Sequence, residues 1–429
     1  MMRMYCTLFA CLLNLILLAQ TETNKESKNR LDFAKTYFEL GGTFLPSFTG
    51  KQLQEGQVAS FQHPVSAIQY LNWGGFHFWG HAEFYVTMPL SYQSLTAGEP
   101  TKGELLHSVA TGARFFPWAY RQKRIRPYVG VSWSALDFQQ KLEDDVEYPA
   151  LAKDLMLGYD AGFLFGYRSL SLRVGMSYFP NNTWDYPLSK NVKAEIETPN
   201  FGFQLGLMYA MDFSKRDTPE NIERWNSYPR LSAQSLDATS FGSFFLAAGP
   251  TISYSLKASN HNREMLPYLK EQLTSANFFD IALGYHFERW GAFAALSFRN
   301  PRFETTGFGD RQTIQKTSLA LELNKYLLDY SGFTPYVGLN LAYDQLKYED
   351  EIDGVQRSFT ALEKFNPGIT IGWDIQPKKN AEALILRTNL RWYPSSSFTL
   401  DGKKFDFSQL EYNLIQLVFY PGRSKRLKQ

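Results

Sequence analysis

Phe201-Gly202-Phe203-Gln204-Leu205-Gly206-Leu207-Met208-Tyr209-Ala210-Met211-Asp212-Phe213 alternates at period two. Its odd positions are Phe201, Phe203, Leu205, Leu207, Tyr209, Met211 and Phe213; Gly202, Gln204, Gly206 and Asp212 stand between them. Successive side chains of a strand point to opposite faces, so one face is apolar and aromatic and the other small and polar. Residues 156–167 read the same way: Leu157, Tyr159, Ala161, Phe163, Phe165 and Tyr167 face one side, Gly158, Asp160, Gly162, Leu164 and Gly166 the other. Segment 76–88 sets Phe76, Phe78, Ala82, Phe84, Val86 and Met88 against His77, His81, Glu83, Tyr85 and Thr87. A soluble sheet would bury the apolar face and present a charged surface. Here the apolar face is too aromatic, and the other too rich in glycine, for that arrangement. Lipid outside and a polar lumen inside impose this pattern.

The connections between such segments run long, then short, from end to end. Long ones fall at 49–65, 90–104, 139–154, 180–198, 257–276, 300–312, 348–364 and 395–406. Short ones fall at 73–75, 118–123, 168–169, 287–289, 328–332 and 376–382. Outer-membrane barrels keep short turns on the periplasmic side and long loops outside, so the expected fold is an all-β, antiparallel, up-and-down transmembrane barrel. After the N-terminal segment no run of about eighteen apolar residues marks a membrane helix. The 35 Phe, 25 Tyr and 9 Trp in 429 residues suit interfacial aromatic girdles. A net charge of only +2 gives no reason to expect nucleic acid.

Residues 1–19 read as an export signal: Arg3, an apolar stretch Cys6–Leu18, then Ala19 before a polar run. Both cysteines, Cys6 and Cys11, lie within it, so a mature chain has neither disulfide nor thiolate site. Leu8-Phe9-Ala10-Cys11 is a weaker match to an acylation box, because its cysteine sits inside the apolar stretch. Residues 20–35 are expected to be a periplasmic tail and 421–429 a basic C-terminal tail.

The barrel region is duplicated. Pro127-Tyr128-Val129-Gly130-Val131 returns as Pro335-Tyr336-Val337-Gly338-Leu339. Arg173 precedes Pro180 by the same distance as Arg387 precedes Pro394. This sets repeat 1 at 36–213, a periplasmic linker at 214–242 containing Pro219 and Pro229, and repeat 2 at 243–420, each repeat with about eight strands.

At the P-Y-V-G segments the chain resembles the small eight-stranded outer-membrane barrels of the OmpA and OmpX kind, in particular Bacteroidetes-type versions, where a residue such as Gln20 after Ala19 is common. The resemblance implies a bacterial outer-membrane location and insertion by the outer-membrane assembly machinery, with the aromatic-ended strand Tyr412–Tyr420 as its recognition segment. The chain departs from the pattern by running on from Pro421 to Gln429. A duplicated unit of eight strands allows one ring of about sixteen strands or two tandem barrels. The single wide ring is the expectation.

The inward positions carry both signs. Candidate lumen-lining residues are Glu39, His77, His81, Glu83, Arg114, Asp160 and Arg173 in repeat 1, and Asp280, His286, Glu322, Asp374, Arg387 and Arg391 in repeat 2. They suit a weakly selective pore or a buried network of ion pairs. Asp160 and Asp374 are the expected partners of Arg173 and Arg387. No serine elbow, zinc-helix motif, phosphate loop or dinucleotide turn occurs. His77 and His81 would stand about 13 Å apart along a strand, too far to share an ion unaided, so neither a metal, a cofactor nor catalysis is expected. The expected function is a passive, weakly selective channel for small hydrophilic solutes. The alternative is a closed structural or adhesive barrel whose outer loops bind lipopolysaccharide or a partner. Oligomeric state is not legible.

Overall fold

The computed structural model describes residues 33–54, 57–63, 66–90, 93–96, 101–119, 125–142, 151–167, 169–180, 182–211, 242–328, 332–375 and 383–422. The expected leader and linker therefore lie outside the described residues. In the first half the strands are β1 (Lys35–Leu45), β2 (Phe48–Gln54), β3 (Gln57–His63), β4 (Ser66–His77), β5 (Ala82–Pro89), β6 (Gln93–Thr96) and β7 (Thr101–Phe115). They continue as β8 (Ile125–Leu142), β9 (Leu151–Tyr167), β10 (Leu170–Tyr178), β11 (Thr183–Ser189), β12 (Val192–Glu197) and β13 (Phe201–Met211). The second half has β14 (Ser243–Ser255), helix α1 (Asn260–Met265), β15 (Phe278–Phe287), β16 (Ala292–Arg299), β17 (Arg302–Gly307) and β18 (Asp310–Tyr326). It ends with β19 (Phe333–Ile352), β20 (Val355–Ile375), β21 (Leu384–Tyr393), β22 (Ser397–Leu400), β23 (Lys403–Asp406) and β24 (Gln409–Phe419).

Each half closes on itself. In the first, β4-β1-β13-β10-β9-β8-β7-β5 form an antiparallel ring, with β5 pairing both β4 and β7. In the second, β15-β14-β24-β21-β20-β19-β18-β16 do the same, with β16 pairing both β15 and β18. The single sixteen-stranded ring is therefore corrected to two eight-stranded barrels. Strand β14 pairs with β24, and both edges of β13 are taken by β1 and β10 of its own half. Once β1 has satisfied that edge, no unpaired backbone remains to admit a second repeat.

Side chains obey the pleat. On β18, Leu319, Leu321 and Leu323 are exposed while Ala320, Glu322 and Asn324 are buried; on β19, Val337, Leu339, Leu341 and Tyr343 form the same outer band. No helix among the described residues is long and apolar enough to cross a membrane. The crossing elements are strands. Closed ladders with an apolar exterior and a polar interior place the protein in the bacterial outer membrane.

Most of the long connections are sheet rather than irregular loop. β2–β3, β11–β12, β17–β18, β19–β20 and β22–β23 are hairpins. Three of them turn on two residues of positive φ: Phe308-Gly309, Asp353-Gly354 and Asp401-Gly402. That is the primed geometry whose twist matches the strands it joins. The β19–β20 hairpin stays paired to Ile352↔Val355, well beyond the outer band, so a sheet projects from the extracellular mouth of the second barrel.

One periplasmic turn also moves. β4 runs on to His77, and a 3-10 turn at Phe78–Gly80 replaces the turn expected at 73–75. Gly74 and Gly75 belong inside the strand, paired with Tyr37 and Thr36, and the Tyr37 side chain lies over Gly74 within the barrel, where a Cβ would lie 2.4 Å from its hydroxyl.

Candidate functional site

The interior of the first barrel is built in layers. At the periplasmic end Tyr37, Phe76, Phe116, Tyr128, Leu164 and Met208 pack into an apolar floor. Above it Arg173 donates from Nε to Glu39 Oε2 at 2.9 Å and from Nη2 to Glu83 Oε1 at 2.7 Å. Arg114 reaches the same Glu83 oxygen at 3.1 Å and stands 3.6 Å from Asp160 Oδ2. Tyrosine hydroxyls complete the carboxylates: Tyr37 donates to Glu83, Tyr70 to Glu39 at 3.1 Å and Tyr85 to Asp160 at 2.9 Å. The Arg114 guanidinium also lies 3.8 Å above the Tyr85 ring. Arg126 lies at the floor, donating to the Gly80 and Trp118 carbonyls. Two glycines make the network fit. A Cβ at Gly206 would sit 2.2 Å from Glu39 Oε1, and one at Gly175 would sit 2.1 Å from the Tyr128 hydroxyl.

The second barrel repeats the scheme with different partners. Its floor is Phe245, Phe293, Tyr326, Tyr336 and Tyr420. Arg387 grips Asp374 through two bonds, 2.7 and 2.8 Å, and Tyr326 donates to the same carboxylate at 2.5 Å. Arg391 bridges Asp280 at 2.6 Å and Glu322 at 2.8 Å. Higher still, Arg299 pairs with Glu411, and Lys316 holds Glu411 at 2.9 Å and Asp344 at 3.3 Å. An aromatic cap closes the mouth, with Phe303, Tyr348, Phe398, Phe405 and Phe407 in one cluster and Phe398 stacked on Phe405 at 4.7 Å.

Glu39, Glu83, Arg114, Asp160 and Arg173 thus meet in one interior network, as do Asp280, Glu322 and Arg391. His286 is interior and packs against Tyr326 at 5.3 Å between ring centres. Two placements need correction. β4 keeps its alternation up to the turn, with Phe76 inside, so His77 points outward beside Phe84, ring centres 5.4 Å apart. His81 belongs to the turn, with Nδ1 3.0 Å from the Phe116 carbonyl. The pairing of Arg173 with Asp160 is also corrected: Arg173 stands opposite Leu164 in the ladder, whereas Arg387 stands opposite Asp374. Its carboxylates come from β1 and β5 across the barrel.

Sequence reasoning placed Tyr85 on the face of Glu83 but missed Tyr37, Tyr70 and Tyr326, Lys316 in the second barrel, and Glu411. Lys316 shares the parity of Glu322 on β18, and Glu411 lies on the inward face of the last strand, so alternation alone marks both.

The outer rim carries its own polar links. Lys190, at the tip of β11–β12, reaches Asp310 at 2.7 Å and Asp353 at 2.6 Å, both in the second barrel. Burial would lower the Lys190 pKa, but the hydrogen bonds it donates to these carboxylates raise it. Asp310 moves below its ordinary 3.8: burial pulls it upward and the bonds from Lys190 and Tyr268 outweigh that pull. Asp401 is likewise lowered, chiefly by the hydrogen bond from Arg357. Among the described residues no group of three acidic, histidine or cysteine side chains has the geometry to hold a metal.

No family model matches the chain. No curated relative does either. Solved structures share the strand arrangement loosely. Neisserial surface protein A aligns with 41% of this chain and 96% of its own, at 11% identity and a TM-score of 0.29. The Pseudomonas putida toluene transporter TodX aligns with 90% of this chain and 89% of its own, at 9% identity and a TM-score of 0.20. OmpT, a Vibrio cholerae outer-membrane protein, aligns with 90% of this chain and 98% of its own, at 11% identity and a TM-score of 0.16. Superpositions this loose say nothing about what the chain does.

Proposed function

We infer that this protein is a closed pair of outer-membrane barrels whose working surface is the extracellular sheet rather than the lumen. The observation that carries the reading is the filled cross-section: in each barrel an aromatic floor lies beneath fully buried ion pairs, and in the second an aromatic cap lies above them. A water-filled pore would leave these guanidiniums solvated. Instead Arg173, Arg299 and Arg391 are each at most 1% exposed and share carboxylates that are buried with them. Small barrels are filled by their own side chains. A passive, weakly selective path for small hydrophilic solutes finds no support in that packing.

The projecting strands of β18–β20 and the hairpins beside them present mixed charge, including Arg311, Lys347, Glu349 and Lys364, to the outside. The partners of this reading are lipopolysaccharide or a protein at the cell exterior, with the outer-membrane assembly machinery recognising the terminal strand. No catalytic role is part of it. The narrower likeness to Bacteroidetes-type barrels rests on Gln20 alone and remains part of the proposal.

Liposome swelling tests the closed lumen. Vesicles carrying the folded protein should not swell in small sugars, whereas swelling that scales inversely with sugar size would establish a pore. Replacing 345–363 by a two-residue turn keeps the Asp344↔Lys364 pair and its register, so it should leave the barrels folded and abolish binding to lipopolysaccharide vesicles. Unchanged binding would move the working surface elsewhere.

A further inference from the structure

The exterior of the second barrel is not uniformly open to lipid. Leu339 and Ile371, on β19 and β20, are 68% and 58% exposed, as lipid-facing residues of an isolated chain should be. Ile252, Tyr412 and Leu414 face outward on β14 and β24, yet are only 5%, 5% and 8% exposed. Val86 and Trp133, on the exterior of the first barrel, cover them. Trp133 meets Tyr412 edge to face at 5.2 Å, Phe84 meets Trp373 at 5.5 Å, and Phe78 meets Phe333 at 5.0 Å near the periplasmic rim.

A polar contact lies within this apolar face. Thr111 Oγ1 is 3.2 Å from the Tyr412 hydroxyl and donates its single hydrogen to the Tyr85 carbonyl at 2.9 Å. The Tyr412 hydroxyl is therefore the donor of the pair. In hydrocarbon a phenol without a partner is costly, so this bond favours the docked arrangement over separated barrels. At the outer rim Lys190 adds its two bridges to Asp310 and Asp353.

The covered strands are the weak place in the second barrel. β14 and β24 are the first and last strands of that ring, and their ladder shifts register between Ala248 and Thr251, where Pro250 has no N–H to give. The ladder on the other side of β24 shifts between Arg387 and Asn389. Thr388 Oγ1 donates to the Leu414 carbonyl at 3.1 Å, a side-chain bond in place of a ladder bond. Terminal strand β24 is irregularly held on both sides at the depth where the first barrel lies against it.

We propose that the first barrel is a built-in clasp: its β5–β7–β8 exterior docks on the closing seam of the second barrel and holds that seam shut in the membrane. The duplication then supplies the second barrel with a permanent neighbour in place of lipid.

The test uses the whole chain with a protease site inserted in 214–242. After cleavage in detergent the two halves should co-purify, and separation of the wild-type halves would overturn the docking. Hydrogen exchange then reads the seam. Loss of one hydrogen bond and one aromatic pair predicts that Trp133→Ala combined with Thr111→Val speeds exchange of the Leu414–Leu417 amides about tenfold relative to the amides of β19. Thr111→Val alone, which keeps the shape, should give an increase of about fivefold. Exchange at β24 that is the same in both variants as in wild type would sink the clasp. A double variant that fails to fold leaves the single variant to decide.

Discussion

Arg173→Met separates a dry, filled barrel from a hydrated pore by magnitude. Arg173 is 0% exposed, as are Glu39 and Glu83, the two carboxylates it holds. Glu83 keeps Arg114 and Tyr37 when the guanidinium goes, but among the described residues Glu39 keeps only the Tyr70 hydroxyl at 3.1 Å. A buried carboxylate stripped of its cation costs about 3–5 kcal/mol, whereas an ion pair exposed to pore water is worth about 0–1 kcal/mol. Methionine nearly conserves volume, so cavity effects stay small. Guanidinium unfolding in detergent, followed by the gel shift between folded and unfolded barrel, measures the loss. The partner substitution completes the cycle: Glu39→Leu with Arg173→Met removes the orphaned charge and should recover most of the loss. A single-variant effect below about 1 kcal/mol, or no recovery in the double variant, would refute the dry interior.

Other positions give independent checks. Gly206→Ala drives a methyl group into Glu39, so it should destabilise the first barrel by about 1–3 kcal/mol and leave the second unchanged, read by separate unfolding transitions. Leu339→Arg places a charge in the lipid band and should cost about 2–4 kcal/mol in bilayers, while Gln345→Arg, three repeats of the pleat further out, should cost under about 1 kcal/mol. The Lys190 bridge should be insensitive to pH across neutrality. The lowered Asp310 pKa means its contribution is present above 3.8 and lost as pH falls through the depressed value. The raised Lys190 pKa means that contribution is full below 10.5 and lost only as pH rises through the elevated value. Spin labels at Asn191→Cys and Val355→Cys should report one narrow distance from pH 5 to 9, broadening only once the pH falls through the depressed Asp310 value.

The membrane strands were legible because lipid and lumen impose opposite chemistry on adjacent residues, as in Phe201–Met211 and Leu157–Tyr167. Ring closure was not. Strand alternation is silent about which edges meet, and one ring or two requires only that β14 find β13 or β24. The outer hairpins were hidden for a related reason: beyond the hydrocarbon the outer face meets water, so Gln345, Lys347 and Glu349 replace its apolar residues, and the aromatic band that marks a membrane strand ends although Leu346 and Tyr348 still alternate inward. Asp353-Gly354 and Asp401-Gly402 were nonetheless readable two-residue hairpin turns. Most of the interior acids and bases were found by parity, though Lys316 and Glu411 were passed over; it failed at His77, whose strand runs on in phase with the inward Phe76, and at His81, which belongs to the three-residue turn. Partner choice was readable for Arg387, whose carboxylate is its ladder neighbour. It was not readable for Arg173, which reaches across the barrel to strands far apart in sequence.

Electrical recording across a planar bilayer tests the closed-barrel account most directly. Purified, folded protein should insert without raising conductance above the bare membrane at any voltage that the bilayer withstands. Reproducible unit steps from the wild-type chain would show that a continuous aqueous path exists and would contradict it.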